Sequence, residues 1–421
     1  MKRSRFALVG ALTLALAGAA TSPALAATTP AQVTTGFSGQ AYGSYIFNSD
    51  KTLTSGPTAN SSIGCTGLTG RTSSNTASAL TVPAVGNVGA ATTSVKTLLT
   101  TTGKRLESKS TIAATDLLGG LITAGAITSE STADKNTAGV FSGTNKTTIA
   151  DLKVLGLPVG ANPAPNTVLD LNVPLVGSLG KITLNGQEKV LVNGVYKVST
   201  TALRVEVLKA GLAGIKAGTD IRLGVSLAYL TPPQAGYLSG TGFSTKTTLA
   251  NGLLNSGPTA LAYAGCGGGT TTANVAGINL PGLATAGAAS TKTTGVLSPT
   301  PKVTVTNNIA GLNVLSGLIQ ADAIKAETST TRAAGSPTGT LTDTSTFTNL
   351  RIKGLANINA NVAPNTVVQV PGLGTVTLHK VTKSTTSISV TMIDITLSQP
   401  IGALPTGAKI QIGYSYTGIG G

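Results

Sequence analysis

In the stretch Ala202-Leu203-Arg204-Val205-Glu206-Val207-Leu208, apolar and charged residues alternate from Leu203 to Val207. The stretch Ser387-Ile388-Ser389-Val390-Thr391-Met392-Ile393 alternates in the same way. A period of two places successive side chains on opposite faces of a strand, one face buried and the other wet. Lys181 to Leu184 and Thr375 to Leu378 show the same pattern. Turn residues punctuate these runs. Pro165-Asn166-Thr167 precedes an apolar strand, and there Pro fixes φ while Asn tolerates turn geometry. The segment from Leu117 to Ile127 fits either a buried strand with a glycine bulge or one helical turn. Thr, Ala, Gly, Ser, Val and Leu dominate, and a 41% hydrophobic content with only 10% charged residues argues against a disordered chain. The expected class is all-β, a sandwich in each of two domains, with a barrel-like variant as the alternative.

Two domains are expected because the chain resembles itself. Ser55-Gly56-Pro57-Thr58-Ala59 recurs as Ser256-Gly257-Pro258-Thr259-Ala260, and Cys65 recurs as Cys266 at the same offset. Leu117 to Ile127 parallels Val314 to Ile324, and Ala164-Pro165-Asn166-Thr167 returns as Ala363-Pro364-Asn365-Thr366. The order is collinear. A repeat of about 200 residues is too long for a solenoid unit and long enough to bury a core of its own. The reading is therefore a first β domain over 27–233 and a second over 236–421, divided at Thr231-Pro232-Pro233.

The chain opens with the basic residues Lys2, Arg3 and Arg5, an apolar run from Phe6 to Ala20, and Ala24-Leu25-Ala26. That pattern predicts a cleavable signal peptide over 1–26, the run being shorter than the roughly 20 residues of a membrane span. The protein is expected outside the cell, secreted or associated with the wall, with no transmembrane segment in its mature form. The formal charge is +15, and loss of the three leader cations leaves about +12. The cations are scattered singly, with neither a basic run nor interleaved aromatics, so nucleic acid is not the expected partner. Cell-wall or acidic polysaccharide fits better, as does self-association; solubility alone would also account for the charge.

Catalytic groups are sparse. His379 is the lone histidine, and the matched position in the first domain is Asn185. Histidine-dependent nucleophilic catalysis needs an imidazole that cannot be exchanged for an amide. Glu130 and Glu327 occupy matched positions, but Asp116, the nearest candidate second acid, is matched by Asn313. No cluster has metal-ligand spacing, and neither cofactor nor metal is expected. Cys65 and Cys266 cannot pair within their own domains. They could bridge the two domains, cross-link two molecules or stay free. Tyr42, Tyr45 and Phe47 are spaced so that they could share one strand face as a glycan contact. Core packing is the competing account of the same rings. The leading functional expectation is a non-enzymatic structural or adhesion protein, with an extracellular glycan-binding module as the alternative.

The opening Ser38-Gly39-Gln40-Ala41-Tyr42-Gly43, the blocks Gly120 to Ile127 and Gly317 to Ile324, and the Ala-Pro-Asn-Thr turns followed by Ile182 to Asn185 and Val376 to His379 resemble the choice-of-anchor P family of actinobacterial exported proteins. The resemblance covers most of both domains. It implies a surface or secreted protein with variable C-terminal attachment, and it assigns no activity and no functional residues. This chain departs from the pattern in showing no recognisable anchor after Tyr416.

Overall fold

The computed structural model describes residues 35–420 except 50–52, 83–84, 174–176, 210–214, 235, 250–253, 281–283, 334, 355–361 and 402–403. The expected leader, residues 1–26, lies outside them. Every regular element among the described residues is a strand, and the protein is all-β and sandwich-like.

In the first half, Thr167–Val173, Gly177–Val192, Val195–Val207, Asp220–Thr231 and Gly36–Phe47 lie side by side and antiparallel. A second sheet is formed by Thr72–Ala77, Ala91–Thr100, Gly103–Ile112, Ala126–Asn136 and Phe141–Ala150. The second half has the same order. Thr366–Val370, Gly374–Lys383, Ser387–Leu397, Lys409–Gly420 and Tyr237–Thr248 make one sheet. Gly269–Val275, Ala289–Val296, Lys302–Val314 and Ile319–Thr331 make the other.

Each half has its own apolar core, fed by the inward residues of both sheets. Ile112, Ile127 and Ile149 meet Ile182, Leu203 and Leu223 in the first half. Ile309 and Ile324 meet Val376, Ile393 and Ile410 in the second. Each such side chain contributes about 1.5–3 kcal/mol when fully buried. Part of each interior is instead hydroxylic. Ser131 Oγ lies 2.8 Å from Thr200 Oγ1 and 3.0 Å from Ser226 Oγ, and Thr328 Oγ1 lies 2.7 Å from Ser415 Oγ. Short hydroxyl side chains let the sheets approach closely and satisfy one another's hydrogen bonds.

One irregularity runs across whole sheets. In the first half the row Gly43, Gly224, Ala202 and Asn185 interrupts the pairing at the same place on four adjacent strands. Gly224 and Asn185 have left-handed φ values of 61° and 51°. Inward positions run 37, 39, 41 before this row and 44, 46 after it. Every strand crossing the row therefore reverses its in–out phase. The second half creases identically at Ser244, Gly413, Met392 and His379, where Gly413 and His379 have φ of 66° and 48°. Glycine and asparagine are the residues that tolerate this conformation best.

The segment Leu117 to Ile127 is neither of the two alternatives expected for it. Leu117 pairs with Ile122, and three successive left-handed residues, Leu118, Gly119 and Gly120, reverse the chain between them. Leu315, Ser316 and Gly317 do the same between Val314 and Ile319.

The described residues form one compact unit. The two halves join through a parallel bridge between Ala77 and Leu254, which extends a sheet of the first half into a sheet of the second. The described chain also begins and ends at one corner. Gly36 pairs with Thr231, Gly420 pairs with Tyr237, and only a short linker separates Thr231 from Tyr237.

Candidate functional site

Three places collect polar or aromatic groups: the seam between the halves, an aromatic–ionic cluster on the first half, and a histidine–aspartate pair on the second.

The seam is built by reciprocal contacts, as across a two-fold axis. Gly56 faces Pro258 and Gly257, while Gly257 faces Pro57 and Gly56. Cys65 and Cys266 are joined in a disulfide with a Cα–Cα distance of 5.3 Å, inside the range such bridges require. Both are buried and pack with Tyr237. Alongside runs a polar chain: Gln40 Nε2 donates to Asn60 Oδ1 at 2.8 Å, and Asn60 Nδ2 donates to Tyr263 Oη at 2.6 Å. Burial raises the Tyr263 phenol above its ordinary pKa, which keeps it neutral, while hydrogen bonds from Ser62 and Asn60 work against that rise.

Tyr42, Tyr45 and Phe47 touch in sequence. Tyr42 and Tyr45 meet edge to face at 6.1 Å, and Tyr45 and Phe47 lie 5.1 Å apart. Residues 42 and 45 would oppose each other in a regular strand. They share a face because the crease at Gly43 reverses the alternation between them. Tyr42 is 8% exposed and lines a small cavity together with Pro258 and Leu261 of the second half. Burial raises its phenol to about 12. Tyr45 and Phe47 are half-buried.

The sequence reading did not include the ions beside these rings. Arg222 lies opposite Tyr45, with its guanidinium 5.2 Å from the Phe47 centroid. It donates to Asp220 at 3.1 and 3.2 Å, and Arg204 donates to the same carboxylate at 3.0 and 2.6 Å. Burial alone would push the Asp220 carboxyl up, but the two guanidinium groups outweigh it and hold the pKa below the ordinary aspartate value. The signal lay in the strand register, which puts Tyr45 and Phe47 opposite Arg222 and Asp220. In the second half the positions paired like Arg222 and Asp220 hold Gln411 and Lys409, so the ion cluster is not repeated.

His379 sits in the crease of the second half. Its Nε2 lies 2.8 Å from Asp343 Oδ2 and its Nδ1 lies 3.2 Å from the Val362 carbonyl oxygen. Both neighbours are acceptors, so only the imidazolium satisfies both. The hydrogen bond to Asp343 raises the histidine pKa, against opposition from burial. Asn185, at the matching crease position, donates to the Pro163 carbonyl at 2.8 Å. Glu327 accepts from Thr344 and Thr306 at 2.5 and 2.8 Å and pairs with Lys325 at 3.1 Å. Glu130 lies between Lys109 and Lys146 on the neighbouring strands, whereas Asp116 lies opposite Thr123 and Asn87 in another sheet. No group of three or more His, Cys, Asp or Glu suited to a metal ion occurs among the described residues.

Comparison of the chain with protein-family models, with curated proteins and with solved structures found no match.

Proposed function

We propose that this is an exported, non-catalytic structural or adhesive protein of the cell surface, made of two copies of one domain. One observation carries the reading. The outward face of the first half's second sheet bears a lateral row of five threonines, Thr76, Thr92, Thr111, Thr128 and Thr148, one from each adjacent strand. Neighbouring strands lie about 4.8 Å apart, so this row is a regular line of hydroxyls and methyls. The next row is charged, with Lys109, Glu130 and Lys146 side by side. Such a face offers many weak contacts to a hydroxyl-rich polymer and no preorganised reaction centre. The leader-like N-terminus, the scattered cations and the resemblance to exported choice-of-anchor P proteins support the same compartment and role.

Fractionation of the producing cells tests this. The expected result is protein in the wall or medium fraction, beginning at Ala27 and released from the wall by raised salt, because about twelve excess cations act through screened attraction. Cytoplasmic protein that retains Met1 would overturn the reading. A glycan-binding role is the second reading, favoured by Tyr45 and Phe47 beside Arg222. On that account Tyr45→Ala weakens retention on wall polysaccharide, whereas a purely structural role leaves it unchanged.

A further inference from the structure

Beside the disulfide, strand Gly36–Phe47 of the first half and the segment after Tyr263 of the second enclose a cavity of about 370 Å³. That volume falls within the range of about 300–1,000 Å³ usual for small-ligand sites, which favour the junctions between domains. Its walls include Ser38, Gln40, Ser62, Tyr229, Tyr263 and Gly267, and no Lys, Arg, Asp or Glu lines it.

We infer that this seam cleft is a binding site for an uncharged saccharide. The inference rests on the reading above that the protein meets polysaccharide outside the cell. Two tyrosine rings from different halves supply apolar faces on which the C–H face of a pyranose can lie, and their hydroxyls stay at the polar rim. Tyr263 is held in place by Asn60 and Ser62, so its ring is preorganised. Gln40 spends its amide N–H on Asn60 and keeps Oε1 as an acceptor. The Tyr229 hydroxyl has no hydrogen-bond partner among the described residues and supplies a donor. Lys197 and Glu188, the charges that act on Tyr229, are paired with each other, so an anionic sugar would lose its hydration here and gain no free counter-charge. A wholly apolar ligand would cover Tyr229 and Gln40 without satisfying them. A neutral sugar offers hydroxyls to both.

The chain contains an internal control. On the other side of the disulfide lies a second cavity of about 370 Å³, which includes Tyr416 and Arg71. Ser38 pairs with Tyr229 at the first cleft, whereas Ser239 pairs with Gly418 at the second. Tyr263 is matched there by Ser62. The second cleft thus lacks both rings of the first and carries a cation instead.

The test is affinity electrophoresis of the intact, disulfide-bonded protein through gels containing galactan, mannan or β-glucan, with polygalacturonate as the acidic comparison. At least one neutral polymer should retard the protein, whereas retardation by polygalacturonate, driven by the excess cations, should not depend on the cleft. Gly267 lines the cleft and a Cβ there would meet nothing within 4 Å, so Gly267→Phe introduces a ring at the cleft wall without a Cβ clash. Its melting temperature should be unchanged, and the dissociation constant in the retarding polymer should rise about tenfold or more. Tyr229→Ala should match it. Absence of retardation by all three neutral polymers, or retardation by a neutral polymer that survives Gly267→Phe, would overturn the cleft. Surface retention of the Gly267→Phe protein separates the two ideas. If it stays on the cell while polymer binding is lost, the structural reading stands independently of the cleft; if wild type is absent from the surface, that reading fails whatever the gels show.

Discussion

Gly257 meets Gly56 across the seam, and a Cβ on Gly257 would lie 2.5 Å from the Pro57 carbonyl oxygen and 2.6 Å from the Gly56 carbonyl. Backbone packs on backbone there, with no flexible side chain to move aside. Gly257→Ala should therefore destabilise the protein by about 1–3 kcal/mol through overpacking. Gly160→Ala, where an added Cβ meets nothing within 4 Å, is the matched control and should change stability little. Urea unfolding of both variants with the disulfide intact measures the difference. Equal midpoints would mean that the seam is not packed this closely in solution.

Cys65 and Cys266 are 201 residues apart, so their bridge closes a very long loop. The chain-entropy account gives such a bridge a ceiling of about 5 kcal/mol, and measured values usually fall below it. Each half nevertheless buries its own apolar cluster. Reduction, or replacement of both cysteines by alanine, should lower the melting temperature while leaving the far-ultraviolet β signal in place. Thiol titration of the denatured, non-reduced protein should find no reactive thiol.

The His379–Asp343 pair should give the second half a pH-dependent stability. The Asp343 hydrogen bond raises the folded-state histidine pKa above 6.5, so this contribution is fully present below that value and fades as pH rises through the folded pKa. Burial pushes Asp343 up, but the bonds from His379 and Ser345 prevail and depress it, so its contribution is lost as pH falls through the folded aspartate pKa. The margin of wild type over His379→Asn should accordingly peak in the weakly acidic range, at about 1–2 kcal/mol, and shrink toward both pH 3 and pH 9. Asparagine suits the left-handed backbone at this position, as Asn185 shows, so the variant should fold. Melting temperatures of the two proteins at pH 3, in the weakly acidic range and at pH 9 check the sign.

Asp220 is 7% exposed and holds two guanidinium groups that are each about one-third exposed. Asp220→Asn keeps the volume and leaves Arg204 and Arg222 without their shared charge. A fully buried pair would lose about 3–5 kcal/mol, and screening at the exposed arginines brings the expectation down to roughly 1–3 kcal/mol. Denaturation curves at neutral pH measure the loss. It should diminish in acid, because the depressed aspartate pKa means the pairing is itself lost as pH falls.

Strand class could be read directly from alternations such as Leu203 to Val207, because that pattern is local. The crease could not. It is a lateral row of one residue from each of four strands, and along any single strand it shows only as a slip of the alternation. That slip explains how Tyr42 and Tyr45, three apart, stand on one face. It also explains why position 379 can hold histidine where the first half holds asparagine: the position is defined by its left-handed backbone. The partner of His379 was beyond reach of any local pattern, since Asp343 lies 36 residues away on another strand. The cleft was equally hidden, because its two rings, Tyr229 and Tyr263, come from different halves and line one cavity only once the seam is closed.

The convergence of Gly36 and Gly420 on the short linker decides how the molecule would carry load. A pull applied between those two residues passes from Gly36 to its pairing partner Thr231, along the linker to Tyr237, and out through Gly420. The sandwiches lie off this line. They would hang slack beside the tension, without bearing it, until the first pairs at Gly36 or Gly420 peeled away. Strands would then leave one rung at a time and not shear all at once, so a pull between these two residues meets the resistance of single pairs and not that of a whole sheet.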